Sequence, residues 1–452
     1  MLQSGQGKAA RELIDARLRE ESEPAGVASL HQLRAISDIL LNDHEAFKAD
    51  TNRTLAVAPN PAPHLQAFVE MGALFNPEVA LSALTRLSVV DKERARRLDE
   101  KVIGRLLQSF FQDNKIQQYE DLMLILGDMS YGGILSRDDI QIKSATILMK
   151  RGRSDQALSQ ARLVKSRSGL IDILTDRRFE AIWPELERSV GPRMETVAKA
   201  NLVIARTDFE KDPEKIEARL TLMRSMSDLG MWADADNLGK AIGRNKDALL
   251  ALDERTAWII DLHADILAAV DRIDEAEQRR AALIETWTDD RGWIVNMAIN
   301  RVGTLAGAQR YDKALALLDS EKSRLDRFSS PFAKQLLRAF RIRLLVGLGR
   351  LNEAKAIAPA LIEHSGDATQ ATLGALLYLN RDADAERLAL KWLEDPDEAS
   401  SVISFLRIID DPSSDQEKVE AELTARLRAR PAIAAAFAAK ARDLPPSLRR
   451  QM

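Results

Sequence analysis

Five imidazoles are available for proton transfer or metal ligation: His31, His44, His64, His263 and His364. They are scattered, and no two stand at the i, i+4 spacing of a helical zinc pair. His263 lies inside an apolar helical pattern and reads as packing. Cysteine is absent, which removes disulfides, thiolate metal sites and Cys nucleophiles together. The nucleophile-elbow, P-loop, zincin and calcium-loop patterns are missing too. Gly347-Leu-Gly349-Arg-Leu-Asn352 is a broken GxGxxG, and no strand pattern precedes it, so it reads as a hairpin turn. The Asp289-Asp290 pair reads as a solvated turn. These residues predict no catalytic site, no metal and no cofactor.

What is left is surface, and the elements that present it repeat. A Gly or small polar residue is followed five positions later by an Ala that opens an apolar stripe. The phrase is Gly5-Gln-Gly-Lys-Ala-Ala10, Gly152-Arg-Ser-Asp-Gln-Ala157, Gly230-Met-Trp-Ala-Asp-Ala235, Asp271-Arg-Ile-Asp-Glu-Ala276, Gln309-Arg-Tyr-Asp-Lys-Ala314 and Gly349-Arg-Leu-Asn-Glu-Ala354. Ala235 to Ala276 spans 41 residues, then 38 to Ala314, 40 to Ala354 and 31 to Ala385. Fainter copies put Ala46, Ala80 and Tyr119 in the same slot. A period in the high thirties holds two helices and two short loops. Around Ala314, Val295, Ile299 and Val302 mark one helix face, and Tyr311, Ala314, Leu315 and Leu318 mark a second. The small Ala is required where the two helices cross. One hairpin cannot bury its stripe alone, so neighbours must stack into an array.

The phrase resembles the hairpin turn of the tetratricopeptide repeat, Gly-x-aromatic-x-x-Ala. Trp232 and Tyr311 fill the aromatic slot, and Ile273 and Leu351 are aliphatic versions. Trp392-Leu-Glu-Asp-Pro396 is similar to the end of such a repeat, where Pro stops the helix. The period is longer than the family's 34. The resemblance implies an all-α fold, a right-handed superhelical solenoid of stacked helical hairpins. It also implies a concave face lined by the first helix of each hairpin. Counted in that register, Trp258, Asp261 and Asp265 fall on the face, followed by Asn296 and Asn300. Lys334, Arg338 and Arg341 form a basic stripe at i, i+4, i+7. Four of the six Trp lie between positions 232 and 293, and Trp, Arg and Asn are types common in interface hot spots.

Composition is that of a water-soluble helical chain. Lys plus Arg is 65 against 69 Asp plus Glu, a net charge of −4, which gives no electrostatic case for nucleic acid. No run of 18 apolar residues exists, so no membrane insertion is expected.

Pro59, Pro61 and Pro63 predict a linker without helix. Gly169, Pro184 and Gly191-Pro192 break the pattern and place a boundary near 190. An N-terminal array over 1–189 and a C-terminal array over 190–452 with capping helices are expected. Pro412 to Glu417 holds a capping-box pattern. The tail Leu444–Arg450 is expected to fray. The start runs straight into a hairpin turn, as if cut from a longer precursor. With the missing Cys and the preference for Arg over Lys, it suggests a bacterial periplasm, the cytoplasm being the alternative.

The expected function is a non-enzymatic scaffold or receptor that holds a protein or peptide partner in its groove, with homo-oligomers through the end repeats as a further option. The alternative is the superhelical part of a longer enzyme or outer-membrane export protein.

Overall fold

The computed structural model describes residues 7–132, 137–395, 398–407 and 415–449. The turn at Gly5, Gly133, Pro396, the opening of the capping pattern at Pro412 and Arg450 lie outside the described residues. Among the described residues every regular element is a helix; the only extended pairing is a single antiparallel bridge between Asp176 and Ala441. The fold is an all-α solenoid of helical hairpins, tetratricopeptide-like in its turns.

Those turns explain the repeating phrase. Its first residue adopts the left-handed conformation: φ is +69° at Gly152, +72° at Gly230, +61° at Asp271, +55° at Gln309 and +73° at Gly349. The amide of the next residue then reaches back five positions, Arg153 to Leu148 at 2.9 Å, Arg272 to Leu267 at 2.9 Å and Arg350 to Leu345 at 2.8 Å. That bond closes the first helix of the hairpins that carry the phrase in a Schellman motif. Ala157, Ala235, Ala276, Ala314, Ala354 and Ala385 are fully buried. Between helices Pro24–Leu40 and His44–Val57 the left-handed residue is Asn42, so the buried slot is held by Phe47, one position beyond Ala46.

The chain divides into two compact units, Met1–Gly169 and Leu170–Met452. In the first, Gly7–Leu18 precedes the hairpins Pro24–Leu40/His44–Val57, Pro61–Phe75/Pro77–Val90, Glu100–Gln112/Ile116–Met129 and Arg137–Lys150/Ser154–Ala161. Their core runs through Phe47, Phe68, Leu84, Ile103, Phe110 and Leu126. The proline-rich stretch is not a plain linker. Helix Pro61–Phe75 starts inside it, capped by the Asn60 side chain, which accepts from the Ala62 amide at 3.3 Å. Pro61 and Pro63 are tolerated because amides of a first helical turn have no intrahelical acceptor, so their loss breaks no bond.

The second unit carries Glu195–Lys211, then the hairpins Ile216–Asp228/Trp232–Gly239, Glu254–Ala269/Ile273–Ile284, Val295–Gly307/Tyr311–Ser320, Pro331–Gly347/Leu351–Glu363 and Thr369–Tyr378/Asp382–Glu394. Ala399–Leu406, Asp415–Arg428 and Pro431–Lys440 close the array. Most of the apolar core is continuous, from Leu249 to Ala441.

The boundary expected near 190 falls inside this unit, because residues 170–190 pack on its C-terminal end. Arg442 donates its amide to the Thr175 carbonyl at 2.8 Å and its Nε to the Leu174 carbonyl at 2.8 Å. Arg177 Nε donates to the Ala438 carbonyl at 2.6 Å, and Arg407 pairs with Asp172 at 2.8 Å. The tail expected to fray is docked: Leu444 and Leu448 are buried, since a short 3-10 turn, Pro446–Leu448, points apolar side chains inward.

Candidate functional site

Helix Pro331–Gly347 begins with a Ser330 cap, whose hydroxyl accepts from the Ala333 amide at 3.2 Å, and with Pro331 in the first turn. The cap fixes where each face of the helix points. Phe332, Leu336 and Phe340 recur at i, i+4, i+8 and look into a cavity of about 580 Å³. Helices Thr369–Tyr378, Ala399–Leu406 and Asp415–Arg428 supply its other walls. Phe405 faces the three apolar side chains from the second of these. Leu336, Phe340 and Phe405 are half-buried against the core, while Phe332 is 57% exposed.

The polar groups of the cavity are held in place. Arg343 pairs with Glu420 at 3.4 Å, donates to the Ala306 carbonyl at 3.1 Å and lies 5.7 Å from the Tyr378 ring centre. Burial raises the Tyr378 hydroxyl pKa, so it stays protonated and able to donate. Arg407, at the rim, pairs with Asp172. An apolar floor with a few fixed polar groups is the chemistry of a site that can take up a side chain or short segment.

The structure separates the residues singled out from the sequence. Asp261, Asp265 and Asn300 are brought together, but around an internal cation. Arg280, 1% exposed, donates Nε to Asp261 at 2.6 Å, Nη2 to Asp265 at 2.5 Å and Nη1 to the Thr304 hydroxyl at 2.5 Å. Asn300 donates to the second oxygen of Asp261 at 2.7 Å. Both oxygens of Asp261 are therefore engaged, and the cluster links two consecutive hairpins. Trp258 is half-buried against two apolar clusters. Asn296 is half-buried one turn before Asn300.

Lys334, Arg338 and Arg341 lie off the cavity-lining face of their helix. Lys334 is exposed, Arg338 donates to the Gln335 side chain at 3.1 Å, and Arg341 pairs with Asp319. At 3.6 residues per turn, a two-residue offset turns a side chain about 200° around the axis. The charged stripe thus stands on the side of this helix away from the cavity. The signal that marks the lining is the aromatic and aliphatic stripe Phe332, Leu336, Phe340.

Among the described residues no group of three His, Asp or Glu could hold a metal ion, and no helix is long and apolar enough to cross a membrane.

No protein-family model matches the chain, and no curated protein matches it. Among solved structures, the crystal structure of the P58(IPK) TPR domain is similar at 14% identity, with a TM-score of 0.19; the match covers 80% of this chain and 98% of that one. The fold assignment stands on the turns and hairpins themselves.

Proposed function

We propose that the protein is a non-enzymatic scaffold that holds a partner protein segment, and that the groove floored by Phe332, Leu336, Phe340 and Phe405 is where it does so. The observation that carries this reading is a formed apolar cavity with an exposed aromatic at its mouth, on a fold of repeated helical hairpins. Its size suits one or two large apolar side chains of a helical or extended segment. Arg343, Glu420 and Tyr378 would orient the backbone or polar groups of that segment.

The test is selection of peptides from a random library on the intact protein, followed by affinity measurement on two variants. Phe332→Ala with Phe405→Ala should weaken binding by about thirtyfold or more, the loss of one hot-spot aromatic being ~2 kcal/mol. Trp258→Ala with Arg338→Glu probes the face singled out from the sequence. If that pair abolishes binding while the groove variant binds normally, the partner sits on the other face. We infer a periplasmic setting, the cytoplasm being the alternative, from the absence of cysteine and the excess of Arg over Lys; fractionation of the native cells decides it.

A further inference from the structure

A second recess, about 510 Å³, lies between helices Trp232–Gly239 and Ile273–Ile284 and the segment that follows the first of them. Its chemistry is unlike that of the apolar groove. Five full cations line it, Lys240, Arg244, Lys246, Arg272 and Arg279, against three carboxylates, Asp236, Glu275 and Glu285. The chain as a whole is acidic.

The cations divide into two sets. Arg272 is committed: it pairs with Asp236 at 2.9 Å and with Glu275 at 2.6 Å. Asp236 also holds His263 Nε2 at 2.7 Å. Lys240, Arg244 and Lys246 are exposed and make no ion pair among the described residues. They fall within seven consecutive positions, so their charges are concentrated on one short loop and the first residue of the helix that follows it, Lys246–Leu250.

That loop is fixed by Arg279. Its guanidinium donates to the carbonyls of Gly243 at 2.9 Å and Gly239 at 3.2 Å, and also to that of Ile242. No carboxylate opposes its charge, and burial alone pulls its pKa down. Gly239 sits so close to the His263 ring that a Cβ there would stand 2.6 Å from it, which seats the loop on the buried imidazole. Burial lowers the His263 pKa and favours the neutral ring, and its Nδ1 has no partner. A loop stapled by an uncompensated cation and carrying three unpaired ones is a preorganised anion site.

We propose that this recess binds a polyphosphate-class oxyanion, contacted by Lys240, Arg244 and Lys246, with Arg279 as the charge that fixes their loop. The volume exceeds what one phosphate fills, and three cations on a loop this short suit a compact multivalent anion better than an extended acidic peptide. The site is independent of the apolar groove and does not rest on the scaffold reading.

The experiment is calorimetric titration of the full chain with pyrophosphate and with tripolyphosphate at low ionic strength, beside an oligoglutamate peptide. Saturable one-to-one binding of the phosphates is expected. Arg244→Glu with Lys246→Glu should weaken it at least tenfold. Lys355→Glu, an exposed lysine on helix Leu351–Glu363, should leave it unchanged, as should Phe332→Ala. Circular dichroism of each variant checks that the helices persist. No saturable heat, an equal loss with Lys355→Glu, or tighter binding of oligoglutamate than of either phosphate would each overturn the proposal.

Discussion

The guanidinium of Arg442 lies 3.6 Å from the centre of the Trp183 ring, and its Nη2 pairs with Glu187. The stack joins the last segment of the second unit to its first. With the two backbone bonds that flank it, Arg442 acts as a clasp. Arg442→Ala should destabilise this unit by about 2 kcal/mol, the scale of a desolvated cation–π contact with its hydrogen bonds. Urea denaturation gives the loss, and limited proteolysis should show new cleavage within 430–449. An unchanged midpoint would mean that the segment is held by Leu444 and Leu448 alone.

The Arg280 cluster makes a second, sharper expectation. Asp261→Ala leaves a buried guanidinium without its nearest carboxylate and should cost about 3–5 kcal/mol. Asp265 is exposed and is the outer partner, so Asp265→Ala should cost well under half as much. Replacing both members, Asp261→Leu with Arg280→Met, should recover most of the stability, because two charges then need no solvation. Thermal unfolding of the four proteins decides it; a double variant as unstable as Asp261→Ala alone would show that the cluster is needed for shape and not only for charge balance.

The repeat phrase, the hairpins and the buried Ala positions were legible because each depends on a few residues close in sequence: a residue that accepts positive φ, then a small side chain at the crossing. The Arg280 cluster was not legible. Asp261, Asp265 and Asn300 carry the polar types of a binding face, and only the arrival of Arg280 from the next helix turns them inward. The groove was missed for a related reason. Its lining is apolar, so the sequence offers Phe332, Leu336 and Phe340 equally as core, and the basic stripe beside them drew the register to the other side. The segment 170–190 looked like the end of one array because its contacts with Arg407 and Arg442 are far away in the chain. The helix at Pro61 was hidden by a rule about prolines that holds for helix interiors and not for first turns.

A pH dependence follows from Asp38 in the first unit. The residue is fully buried, and burial pushes its carboxyl up to about 7, against the pull of Arg11 at 2.9 Å and with the added push of Asp50 and Asp43. Arg34 and His31 face the same group through Asp50. A carboxyl whose folded pKa stands above its unfolded value favours the protonated, folded state. Between the ordinary Asp range and about pH 7 the native state therefore binds more protons than the unfolded one, and stability falls as pH rises. Asp50, held below its ordinary value with Arg34 and Arg53 opposing the effect of burial, contributes the opposite slope, confined to more acid pH. Urea midpoints of the whole protein between pH 4.5 and 7.5 should decline for the transition that reports the first unit. Asp38→Asn should flatten that decline; an equal slope in the variant would place its source in another group.

The last expectation concerns the hairpin crossing. Ala314 is fully buried at the start of Tyr311–Ser320, where its helix meets Val295–Gly307. The neighbouring slot is equally tight: a Cβ on Gly347 would run into the Tyr311 ring. Ala314→Leu adds three carbons where no void exists, and overpacking of this kind costs about 1–3 kcal/mol. In a solenoid each hairpin is coupled mainly to its neighbours, so the strain should be local. Hydrogen exchange should quicken first in Glu254–Ala269, Val295–Gly307 and Pro331–Gly347, which pack on the altered hairpin or its partner. Helices of the first unit should keep their protection. If Pro61–Phe75 or Glu100–Gln112 loosened while Pro331–Gly347 did not, the nearest-neighbour picture of this array would fail.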